Sequence, residues 1–252
     1  MGINGAIEFG NRMLTFVLAV VVILAFLAVI RMRRQRRDLF VITLLQGLSI
    51  PAQAVLGGIT VLTGLNPYVV GAHFVISMAL VVLTTVLVYR VYNGRRGDLP
   101  LGPAWLRRLS ITSAVFAAMA VLLGILTTGS GPHAGDAATP RNGLDSELLE
   151  HLHSWPAYAL FGCTVVLVVA VLALRLPGRR FFIAMLGIEV LQIIVGITQS
   201  NWGLPPLLVG THMVLAALLT AAMTASLISL RTSSAATLVA PESETPLLSA
   251  QR

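Results

Sequence analysis

The sequence contains no lysine and a single cysteine, Cys163, in 252 residues. One thiol excludes a disulfide scaffold. Charged residues make up 11% of the chain, against about 25% in soluble domains. That scarcity rules out an ordinary water-soluble globule, while the high apolar content rules out disorder over most of the length. What is present is apolar: 56% of residues are hydrophobic, with a mean hydropathy of +0.88. They arrive in blocks near the roughly 20 residues that cross a bilayer. The expectation is an all-α polytopic membrane protein.

Apolar runs between charged or turn-rich breaks predict seven spans, near 11–30, 39–62, 68–90, 110–128, 155–174, 181–200 and 206–230. Pro51 and Gly57 fall inside the second, which membrane helices tolerate where neighbours satisfy the backbone. All 17 basic residues are arginine. They concentrate in alternate connections: Arg31 to Arg37; Arg90, Arg95, Arg96, Arg107 and Arg108; Arg175, Arg179 and Arg180; and Arg231 at the head of the tail. The intervening connections hold only Arg141, and the N-terminal stretch only Arg12. The positive-inside rule then puts the N-terminus and the 129–150 loop outside and the C-terminus in the cytoplasm. Membrane insertion accounts for the net charge of +7, so a nucleic-acid partner is not expected. About ten residues precede the first span with no basic n-region or cleavage site. Either the first helix inserts N-out unaided or an upstream helix precedes it, and the odd span count favours the second.

Self-comparison reveals a repeat offset by 139 residues. Residues 53–73 (QAVLGGITVLTGLNPYVVGAH) align without a gap on 192–212 (QIIVGITQSNWGLPPLLVGTH), matching Gln53/Gln192, Gly57/Gly196, Gly64/Gly203, Leu65/Leu204, Pro67/Pro206, Gly71/Gly210 and His73/His212. A three-residue gap upstream brings Glu8 and Asn11 over Glu150 and His153. Each half reads as a Glu-x-x-(Asn or His) helix start, a basic loop, a helix pair and a second His. Both copies keep one orientation, which predicts two pseudosymmetric helical bundles related by an axis along the membrane normal. The expected organisation is an N-terminal bundle 1–128, an outer loop 129–147, a C-terminal bundle 148–230 and a disordered cytoplasmic tail 231–252.

Four positions fall at outer ends of repeat-equivalent helices: Asn11, His73, His153 and His212. Two imidazoles on neighbouring helices can hold a haem iron from both faces, and small residues such as Gly71, Ala72 and Gly210 allow close approach. The C-terminal half has the complete pair, His153 and His212; the N-terminal half sets His73 against Asn11, a poor iron ligand. The alternative is interfacial histidines that only hydrogen-bond. Zinc is disfavoured because Cys or carboxylate ligands at suitable spacing are lacking. His151 is two residues from His153 and points to another face; it reads as a loop or supporting group. Glu8, three residues before Asn11, is either a functional acid or a helix-terminal charge facing water, and its repeat mate Glu150 reads as solvated. Arg12 can pair with a propionate or snorkel to the interface. Glu189 is expected to make a buried polar contact with Gln192. The stretch Thr128-Gly-Ser-Gly-Pro-His133-Ala-Gly-Asp136 reads as a tight outer turn, with His133 and Asp136 either covering a site or simply solvated. Tyr68 and Trp202 sit at outer turns, where aromatic residues are favoured.

Taken together, EFGNR at 8–12, GGITVLTGL at 57–65, GAHF at 71–74, TGSGPHAGD at 128–136, HLHS at 151–154 and GLPPLLVGTHM at 203–213 resemble the haem A synthase family, in its actinobacterial form. The resemblance covers nearly all of the chain except the tail. It implies a protein of the bacterial plasma membrane that oxidises the C8 methyl of haem O to the formyl of haem A. It implies a haem b cofactor on His153 and His212, a substrate haem O site at Asn11, Arg12 and His73, and a catalytic acid at Glu8. Haem O synthase and a second copy of the chain are partners the resemblance admits, besides membrane lipid. The family's first helix and outer loop, often bearing a Cys pair, do not appear in this sequence. Many members have His where Asn11 stands, so a bis-histidine substrate site is not expected. The rival readings are a di-haem electron-transfer or haem-carrier protein, which leaves Glu8 without a task, and a small transporter built on the repeat.

Overall fold

The computed structural model describes residues 3–132 and 139–233, without the side chains of residues 3–9, Asn11, Arg12, Arg96, Asp98 and Ser233. Among the described residues seven helices are long and apolar enough to cross a membrane. They are α1 (Ile3–Ile30), α2 (Arg37–Leu62), α3 (Pro67–Asn93), α4 (Ala104–Ser130), α5 (Ser146–Ala173), α6 (Arg179–Asn201) and α7 (Pro206–Ser229). Their apolar side chains face outward in large numbers, with Leu14, Phe16, Val55 and Leu207 each more than half exposed. Water would not tolerate such a surface, whereas lipid tails are its natural surroundings.

The helices outrun the apolar runs at several ends. α5 begins at Ser146, capped by the Asp145 carboxylate accepting from the N–H groups of Glu147 and Leu148. The polar stretch before residue 155 is therefore helix, and His151 and His153 both lie on it rather than in a loop. α4 continues through Ser130, so Thr128, Gly129 and Ser130 are helical and not part of an outer turn. Gly129 is there for contact: an added Cβ would lie 2.9 Å from Pro67 Cβ and 3.1 Å from Asn142 Nδ2. Beyond it the Arg141 guanidinium donates to the Pro132 carbonyl at 2.6 Å. Residues 231–233, expected in the tail, form a short strand β2 antiparallel to β1 (Arg96–Pro100) in the α3–α4 connection. His133, Asp136 and the rest of the tail lie outside the described residues.

Packing contacts run α4–α5, α5–α6 and α6–α7, with α7 returning to α4. These four helices form a ring in which α5 and α7 lie across from one another. Its core gathers Leu106, Leu160, Leu167, Val171, Phe182, Met185 and Met223, drawn from all four. Of the three helices that precede them, α1 packs on α2, α2 on α3, and α3 on both α4 and α7. On the chain α4 precedes the outer loop, yet its main partner is α5.

The two repeat turns share their backbone. Gly64 and Leu65 have φ of 63° and 61°, and Gly203 and Leu204 have 71° and 60°. Leu65 N–H reaches the Thr60 carbonyl at 2.7 Å, and Leu204 N–H the Gln199 carbonyl at 2.8 Å. This is the wide closing bond of a Schellman helix end, in which glycine takes the left-handed position. Pro67 and Pro206 then open α3 and α7, where the missing N–H costs nothing.

Candidate functional site

His73 and His212 are each the seventh residue of their helices, nearly two turns inside. The same neighbours surround both. Gln53 Nε2 donates to the His73 carbonyl at 3.4 Å, and Gln192 Nε2 to the His212 carbonyl at 3.1 Å. An added Cβ at Gly57 would lie 3.8 Å from His73 Cε1, and one at Gly196 3.3 Å from His212 Cε1. In both imidazoles Nδ1 is buried without a hydrogen-bond partner, a costly state for a polar atom that has no ligand to meet.

His153 on α5 lies across the ring from His212. Its Nδ1 is 2.8 Å from the Ala120 carbonyl on α4. A carbonyl can only accept, so Nδ1 carries the proton and donates, leaving the Nε2 lone pair free. A histidine that ligates a metal commonly has its other nitrogen fixed in this way. The ring lies against Gly124, where an added Cβ would be 2.9 Å from Cε1 and 3.1 Å from Nδ1. The ring centroids of His153 and His212 are 6.2 Å apart, with planes at 68°. A metal–nitrogen bond of about 2.0 Å, with the centroid about 1 Å further on, puts two opposed imidazoles roughly 6 Å apart. The pair therefore stands at a separation that two imidazoles holding one iron between them would have, with the His153 Nδ1 already oriented and Gly124 beside its ring. These residues fit a haem iron. Among the described residues no group of three His, Cys, Asp or Glu converges.

Other sequence-stretch candidates fall elsewhere. Glu8, Asn11 and Arg12 lie on the α1 backbone, and their side chains are outside the described residues. Gly71 and Gly210 do not face imidazoles. An added Cβ at 71 would strike Ile125 Cγ2 at 2.4 Å, making it an α3–α4 contact, while position 210 has nothing within 4 Å. Ala72 is exposed. Glu189 is buried, and its Oε1 accepts from Thr164 Oγ1 at 2.8 Å. Its partner is thus on α5, not Gln192, because Gln192 turns to the His212 carbonyl. Glu150 is exposed and accepts from Ser200 Oγ. His151 is exposed, with Nδ1 2.8 Å from the Glu147 carbonyl of its own helix. Sequence reasoning missed Gly124 and Ala120, since nothing in the local pattern of α4 signals an imidazole on another helix.

Residues 3–224 match the COX15-CtaA family of cytochrome oxidase assembly proteins. A search of curated proteins finds no match.

Proposed function

The chain belongs to this family, the haem A synthases, which are oxidoreductases of haem A biosynthesis and act in cytochrome oxidase assembly, and from that premise we propose that it oxidises the C8 methyl of haem O to the formyl group of haem A with a haem b between His153 and His212. The family binds haem, and the seven apolar helices make the protein multi-pass. The observation that carries the cofactor reading is the His153–His212 pair, with ring centroids 6.2 Å apart. A bound haem b supplies one-electron transfer there. The Ala120 carbonyl fixes the His153 tautomer, Gln192 anchors the α7 backbone at His212, and Gly124 and Gly196 leave room for the rings.

Substrate haem O belongs to the other half. His73 carries the same glutamine and glycine neighbours as His212 and a buried, unpartnered Nδ1, which supports it as the ligand of the incoming iron. With Asn11 at the repeat position that His153 holds in the second copy, one imidazole does this work. Arg12 takes a propionate by charge-assisted hydrogen bonds. Glu8 takes the proton from one hydroxyl of the C8 gem-diol left by two successive hydroxylations and returns it to the other, which departs as water and leaves the formyl group. On this reading α1 to α3 form the substrate half and α4 to α7 the haem b half of a pseudosymmetric pair. The division falls before α4 and not at residue 128, because α4 packs chiefly on α5 and brings Gly124 and Ala120 to His153. The arginine-rich connections face the cytoplasm of a bacterial plasma membrane, and haem O synthase supplies the substrate.

Co-expression with a haem O synthase, followed by chromatography and mass analysis of acid-extracted haems, tests this. Haem A or its hydroxylated precursor is the expected product. Glu8→Gln is expected to retain bound haem b and abolish conversion. Bound haem with haem O unchanged in the native chain would overturn the enzyme assignment in favour of electron transfer, and full conversion by Glu8→Gln would remove the role given to Glu8.

A further inference from the structure

We propose that the cleft between α3, α6 and α7 at the arginine-rich end of the helices binds an anionic glycerophospholipid, its phosphate on Arg180 and an acyl chain along α3 and α7. The cleft has a volume of about 540 Å³ and is walled by Val81, Val88, Tyr92, Phe181, Ala221 and Ala225. That size lies within the about 300–1,000 Å³ of ordinary ligand clefts. It is separate from the imidazole sites. Its α3 wall begins at Leu80, about 10 Å along the helix from His73 at 1.5 Å per residue. Its α7 wall begins at Ala221, nine residues after His212 and hence about half a turn round the helix, on the opposite face.

The mouth is basic and the walls are apolar. The Arg180 guanidinium lies 4.8 Å over the Phe181 ring, which itself leans on Tyr89 with centroids 5.7 Å apart. The side chain is thereby held at the rim while remaining exposed. Asp38, at the same end, is already engaged by Arg36 and Arg90. Among the described residues neither Arg179 nor Arg180 has a carboxylate partner. A guanidinium stays charged at any physiological pH, and its fork matches two phosphate oxygens. Ala221 and Ala225 leave the wall open where larger side chains would close it. Basic recesses between membrane helices recognise anionic headgroups in this manner. A zwitterionic headgroup brings its own cation and gains less from Arg180, the one arginine that lines the cleft.

The test uses the full chain in nanodiscs of mixed phosphatidylglycerol and phosphatidylcholine, extracted into detergent and analysed by native mass spectrometry. Phosphatidylglycerol is expected to remain bound through delipidation. Arg180→Gln is expected to retain about fivefold less, the factor for one lost arginine–lipid contact. Ala221→Phe, which fills the cleft and keeps the arginine, is expected to lose the lipid too. Both variants should keep the haem spectrum of the parent; if Ala221→Phe loses it, Arg180→Gln alone decides. Equal retention of phosphatidylcholine, unchanged retention in Arg180→Gln, or displacement of the lipid by inorganic phosphate would each overturn the assignment.

Discussion

Gly124 has no side chain, and the His153 imidazole uses the space. Gly124→Ala is expected to displace the ring, because its Cβ would lie 2.9 Å from Cε1. The haem absorbance of the purified chain should fall severalfold while the helical circular dichroism persists. Gly210→Ala is the control: nothing lies within 4 Å of the added methyl, and alanine gains up to about 1 kcal/mol over glycine within a helix. Its thermal midpoint in detergent should stay level or rise. Glu189 makes a different point at the same scale. Thr164→Val removes the donor that meets this buried carboxyl group, and an unsatisfied buried polar group costs about 1–3 kcal/mol. Thermal unfolding should shift down accordingly. Glu189→Gln keeps an oxygen for Thr164 and should cost less; an equal loss from both would assign Glu189 a part beyond this hydrogen bond.

The two repeat turns are the elements that set His73 and His212. Each ends a helix with a left-handed glycine, holds a leucine at positive φ and opens the next helix with proline. Leucine in that region costs roughly 1–2 kcal/mol, so the wide closing bond and the packing of the turn must hold it there. Gly64→Ala and Gly203→Ala place a second Cβ in the left-handed region, and each is expected to destabilise by about 1 kcal/mol. The two losses should be equal, because the turns share their hydrogen bonds. Unequal midpoints in detergent melts would mean that the turns are supported differently by their surroundings. These turns were legible in advance because glycine and proline act locally. The continuation of α4 to Ser130 was not. A glycine within a close helix contact looks, in one dimension, the same as a glycine in a loop.

At the scale of the molecule, four helices close a ring around the His153–His212 pair, and α1 to α3 extend from it. The proposed orientation rests on the arginines and is open to a direct check. In a Cys163→Ser background, Leu144→Cys is expected to react with a membrane-impermeant maleimide on intact cells. Arg34→Cys should react only after permeabilisation. The reverse pattern would invert the proposed topology, carrying both imidazole sites to the cytoplasmic side.

Sequence alone determined the class, the seven apolar spans and the family, because each depends on residue type at short range or on matching along the chain. A bilayer selects apolar blocks of one length, arginine placement biases insertion, and left-handed turns select glycine. It also singled out His153 and His212 as candidates. Only the tertiary structure decided what stands beside them. Ala120 and Gly124 come from α4, about thirty residues away in the chain, and reach His153 because α4 packs on α5. Glu189 finds Thr164 rather than the glutamine one turn away for the same reason. A helix fixes which residues share a face, but which neighbour that face meets is set by how the helices pack.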